Sequence, residues 1–73
     1  MEIVGPLLDN LQAAVASARR LNGHPVYPDT LGYWREILKL ARAERHTFHG
    51  NEQALVDSLI ARLQQELAER DAL

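Results

Sequence analysis

Apolar residues recur three and four positions apart in three blocks, and Gly, Pro and Asn interrupt the rhythm twice. Spacing of this kind lays apolar side chains on one face of an α-helix, so the pattern predicts three helices, at about residues 6–22, 28–47 and 51–70. In the first block Val4, Leu8, Leu11, Val15 and Ala18 form a seam, with Leu7, Ala14 and Leu21 beside it. Gly5-Pro6 marks its start, and Asn22-Gly23, residues that readily take the left-handed conformation, marks its end. Ala13, Ala14, Ala16, Ser17 and Ala18 keep this helix slim, which lets a neighbour's backbone come close; Ala is also the best helix former.

The middle block is the centre of the chain. Pro28 suits the first helical position, where its missing N–H costs nothing, and Asp29 meets the free backbone N–H groups of the first turn. Leu31, Trp34, Leu38 and Ala41 share one face, and Tyr33, Ile37 and Leu40 form a neighbouring stripe. An apolar surface this wide is expected to meet two other elements. Opposite it run Arg35, Lys39, Arg42 and His46, again three or four apart.

The seven residues 22–28 carry two prolines three apart behind a glycine, so they cross between helices in extended form, with Val26 and Tyr27 expected to pack onto the core. After the second helix, Phe48 offers an apolar anchor, Gly50 a helix stop and Asn51 a cap for the third. That third helix has Leu55, Val56, Leu59, Ile60, Leu63 and Leu67 on its apolar face. The tight turn predicts an antiparallel hairpin of helices 2 and 3, with Arg42 near Asp57 and Arg35 near Glu66. Glu66 and Arg70 are placed for an i,i+4 pair.

Composition narrows the class. The chain has 73 residues and no Cys, so a disulfide staple, a thiolate nucleophile and a Cys-based zinc site are all excluded. A hydrophobic share of 47% with only 5% aromatic residues means a core of Leu, Ile, Val and Ala, which is that of a helical bundle and not of a β-sandwich. The expected fold is therefore all-α: a single small three-helix domain. Helix 2 is apolar on more than one side and helix 3 would be roughly 28 Å long, more than one short helix can cover. A homodimer packed across a two-fold axis is the expected remedy.

The net charge of −2 and pI near 5.8 speak against nonspecific nucleic-acid binding. The charge is uneven, however. Residues 25–49 carry four basic and three acidic residues (+1), and residues 50–73 two basic and five acidic (−3). No apolar run is long enough to span a membrane and no signal-peptide pattern is evident, so a cytoplasmic protein is expected.

Candidate chemistry is sparse. His46, His49 and Glu52 straddle a predicted turn with no second ligand pair, which reads as turn residues and not as a metal site. Asp57-Ser58-Leu59 resembles the Asp-Ser-Leu at the phosphopantetheine serine of acyl carrier proteins. There the serine begins a helix after a loop; here Ser58 falls inside a predicted helix with fifteen residues to follow, so the resemblance is not carried further. A helix-turn-helix would make helix 3 the groove reader, but its polar positions are mostly Gln, Glu and Asp. There is no Gly-rich phosphate loop and no nucleophile beside a His. A chain this short is also not expected to enclose a substrate pocket of several hundred cubic ångströms.

The sequence thus predicts a non-enzyme without cofactor or metal: a small protein-interaction module that acts sterically on a larger partner. Its contact residues are expected to be Tyr27, Tyr33, Trp34, Arg35, Lys39, Arg42 and His46, with Trp34 in phase with the core face. The alternative is a dimeric DNA-binding regulator using the basic face of helix 2, and a third is a structural subunit of an assembly.

Overall fold

The computed structural model describes residues 6–71, and contains α1 (Leu7–Arg20), α2 (Pro28–Glu44), a 3₁₀ turn (Arg45–Thr47) and α3 (Asn51–Asp71). Val4 of the expected seam and the chain end at 72–73 lie outside the described residues. Every helix packs against both others. Asn22 and Leu21, at the end of α1, bond to Glu66 and Arg70 near the end of α3, so these two ends meet. At the opposite end Arg45 pairs with Asp57 in the first half of α3. The helices therefore run up, down and up, and α2 and α3 form the expected antiparallel hairpin.

Each helix contributes four apolar residues to the core: Leu11, Ala14, Val15 and Ala18; Trp34, Ile37, Leu38 and Ala41; Val56, Ile60, Leu63 and Leu67. The two alanines bring the α1 backbone close, and Trp34, 2% exposed, supplies the bulk that fills the centre. Ala13 and Ala16 are exposed, so only half of the slim face of α1 is used for packing. Leu8, Leu31, Tyr33 and Leu59 flank the core as half-buried residues. Since α1 and α3 together cover the wide apolar surface of α2, the reason for expecting a second copy is met within one chain. Among the described residues only Tyr27 and Leu55 are exposed large hydrophobics. Leu55, assigned above to the apolar face of helix 3, is 39% exposed.

The helix ends differ from the sequence reading for local reasons. The first helix stops at Arg20, and residues 21–23 form a turn in which the His24 N–H donates to the Leu21 carbonyl at 2.9 Å. Gly23 sits at φ +81°, a conformation that a side chain would strain. Helix 2 ends three residues early. The Thr47 hydroxyl donates to the Glu44 carbonyl at 2.7 Å, and the last three residues tighten into the 3₁₀ turn that delivers half-buried Phe48 to the core. Asn51 is not the cap of α3: the Ala54 N–H donates to the Gly50 carbonyl, so Gly50, at φ +60°, holds the capping position and Asn51 is already helical.

The turn between α2 and α3 is clamped by Arg45 and not by Arg42. Both Asp57 oxygens accept from the Arg45 guanidinium, Oδ2 from Nη2 at 3.1 Å. The 3₁₀ turn rotates Arg45 onto the α3 side, which the continuous helix assumed above does not do. The fork-on-carboxylate bonds to Arg45 hold the Asp57 carboxyl below its ordinary value of 3.8.

Two outcomes are expected from this architecture. Leu63→Ala, which empties a fully buried position, should cost about 2–5 kcal/mol in urea unfolding, enough to leave a domain this small largely unfolded. A loss under about 1 kcal/mol would mean that the three helices do not share one core. Because the Asp57 pKa is lower in the folded chain, its contribution is present above its unfolded value of 3.8 and disappears as pH falls through the folded value. Asp57→Asn should therefore flatten the acid limb of stability against pH, and Arg45→Met should flatten it equally. An acid limb as steep in both variants as in the parent would contradict the pairing.

Candidate functional site

Two surfaces stand out, and they meet on α2. The first is its outer face. Arg35, Lys39, Arg42 and His46 are all exposed, and helical spacing puts Arg35, Lys39 and Arg42 along one side. The acids expected to neutralise them are engaged elsewhere. Asp57 is taken by Arg45. Glu66, 3% exposed, accepts from the Asn22 amide at 2.8 Å and pairs with Arg62 at 3.4 Å. Glu69 accepts from Asn22 at 3.1 Å. The i,i+4 partner of Glu66 is thus Arg62, one turn before it, and Glu66 faces α1 instead of Arg35.

The second surface is an open cleft of about 730 Å³ at the end of the bundle where the α1–α2 link meets α3. So short a chain was not expected to form a hollow of this size; it does so at the surface, between the link and the last turn of α3. Pro25, Val26 and Leu31 give the cleft its apolar side, and His24, Glu69 and Arg70 stand at its polar side.

Arg70 builds this end of the molecule. Its Nη1 donates to the His24 carbonyl at 2.8 Å and its Nη2 to the Leu21 carbonyl at 2.6 Å. The guanidinium plane lies over the Trp34 ring, 5.2 Å from its centre. Its Nε is buried without a protein partner. One side chain thereby satisfies two carbonyls of a link that has no regular structure, and covers the largest core residue. A planar fork of N–H groups can do both at once; a lysine ammonium cannot. Nothing in the local spacing of the sequence signals this role, because the partners lie more than forty residues away in the chain.

The seven residues predicted for contact divide. Tyr27, 82% exposed, points outward rather than onto the core, while its neighbour Val26 packs inward. Trp34 is a core residue and supports the surface from beneath without lining it. Tyr33 is half-buried, and its hydroxyl donates to Asn10 Oδ1 at 2.9 Å, so it braces α2 against α1. Arg35, Lys39, Arg42 and His46 remain on the outside. His49 is also exposed, and Ser58 lies well inside α3 on an exposed position. A concentration of arginine not foreseen is the shallow basin between α1 and α3, where Arg19, Arg20 and Arg62 converge beside Glu66. The near-adjacency of Arg19 and Arg20 was visible; the arrival of Arg62 from α3 was not.

Among the described residues no helix is long and apolar enough to cross a membrane. Comparison with protein-family models, with curated proteins and with solved structures gives no match.

Replacing Arg70 by Met, which keeps length and removes the fork, should cost about 1–3 kcal/mol in urea unfolding. Arg70→Lys should recover little of that loss, since it restores charge without the two parallel donors. Trp34 emission, the only tryptophan signal in the chain, should shift to the red in both variants. Wild-type stability and emission in Arg70→Met would show that the contact contributes nothing to the fold.

Proposed function

We propose that this chain is a non-enzymatic interaction module that binds a larger protein through the outer face of α2. The observation that carries this reading is the commitment of the α3 acids. Like charges three and four apart on a helix are unfavourable on their own. Asp57, Glu66 and Glu69 are drawn to Arg45, Arg62 and Asn22, and Lys39 and Arg42 are left facing outward. An acidic surface on a partner would complete them. The action is steric and electrostatic: apolar contact gives affinity, and the basic stripe gives orientation and rate of encounter.

Nucleic acid fits less well. Arg35, Lys39 and Arg42 could neutralise about three phosphates, a small electrostatic gain, and the chain as a whole is negative.

Lys39→Glu/Arg42→Glu reverses the stripe at two exposed positions and should leave the circular dichroism and melting of the domain unchanged. Tagged wild-type chain in lysate of its source cell should retain a protein that survives nuclease, and the double variant should retain about tenfold less of it or lower. Equal retention by the two chains would remove the α2 face from the interaction. Retention that vanishes with nuclease and with salt would favour the DNA-binding regulator instead.

A further inference from the structure

The cleft has no part in the reading above, yet it opens where the basic stripe begins. Leu31 lines the cleft, and Arg35 stands one helical turn further along α2. Val26 and Leu31 pack against the core from above, so the apolar side of the cleft is backed by fixed side chains. The polar groups at its edge are already bonded: Arg70 to two carbonyls, Glu69 to Asn22. The cleft therefore offers apolar contact area and shape. Charge is offered next door, by Lys39 and Arg42.

We propose that the cleft is the anchor pocket for an acidic amphipathic segment of the partner protein. A bulky apolar side chain of that segment sits against Pro25, Val26 and Leu31, and its Asp or Glu residues lie along Lys39 and Arg42. This rests on the interaction-module reading and names the class of partner. The space, about 730 Å³ and open on one side, takes a Leu, Phe or Trp side chain with its flanking backbone. From Leu31, Lys39 is eight residues away and Arg42 eleven, about 12 and 16 Å along a helix. A helical partner meets this spacing with an anchor followed two to three turns later by acids. Tyr27, next to Val26 in the chain and 82% exposed, adds an aromatic contact beside the pocket at little conformational cost. Duplex DNA matches only the charged half of this surface.

The test is selection of a phage-displayed library of random helix-length peptides on the immobilised full chain. The enriched sequences are then synthesised and titrated into isotope-labelled wild-type chain and two folded variants, Lys39→Glu/Arg42→Glu and Pro25→Glu. Folding of both variants is checked by circular dichroism, since Pro25, Lys39 and Arg42 are exposed. The expected result is a consensus of one bulky apolar residue with Asp or Glu two to three turns away. Amide shifts should centre on Val26 and Leu31, and affinity should fall about tenfold or more in each variant. Peptides weakened by the charge reversal but not by Pro25→Glu, with no shift at Val26 or Leu31, would overturn the anchor pocket and leave the α2 reading standing. Peptides indifferent to the charge reversal would overturn both. Absence of any enriched peptide, or enrichment of basic peptides, would overturn the acidic partner.

Discussion

The stacking of Arg70 on Trp34, with its two donors spent on the carbonyls of Leu21 and His24, is the contact on which the rest of this small fold depends. The chain lacks cysteine, and one core of four residues per helix is all that holds it. In so small a domain a few kcal/mol is a large share of the total. The α1–α2 link, with Gly23, Pro25 and Pro28, cannot satisfy its own carbonyls through regular structure. Arg70 supplies the missing donors from α3 and lies over the one residue whose exposure would be most costly. The link, the core and the last turn of α3 are thereby joined at a single side chain.

The distribution of charge follows from the same end of the molecule. Asn22 holds Glu66 and Glu69 toward the link, and Arg62 lies a turn away from Glu66 on α3. These acids face α1 and the bundle end, while the 3₁₀ turn brings Arg45 to Asp57 at the other end. Neither set serves the outer face of α2. A helix with a basic stripe in an acidic protein thus arises from where the acids are used, not from their number.

The sequence made the all-α class, the order of the helices and most of the core legible, because these rest on period and phase. Trp34, Leu38 and Leu63 fall on their faces by spacing alone. The start of α2 at Pro28 was equally plain, since proline at the first helical position leaves no orphan donor. What could not be read depended on contacts between distant residues. Arg70 looked like the partner of Glu66, because i,i+4 is the only pairing that a linear pattern displays. Arg42 looked nearer than Arg45 to Asp57, because a continuous helix was assumed where Thr47 tightens the turn. Tyr27 was read as packing inward, yet in the crossing only one of two neighbouring side chains can face the core, and Val26 takes that place. The cleft had no linear signal at all, being made where three separate segments meet.

The link that Arg70 and Asn22 hold is also one wall of the proposed anchor pocket, and this divides the work between the two halves of the surface. A wall tied by four side-chain hydrogen bonds is already ordered, so filling the pocket costs little further conformational entropy. Lys39 and Arg42 are long, exposed side chains that lose rotamer freedom when they pair, and exposed pairs return only about 0–1 kcal/mol each. Affinity must then come chiefly from the apolar anchor, with the stripe selecting orientation and rejecting basic competitors. Loosening the Arg70 contact would weaken binding even though Arg70 need not touch the partner, because the ordered wall is what it contributes.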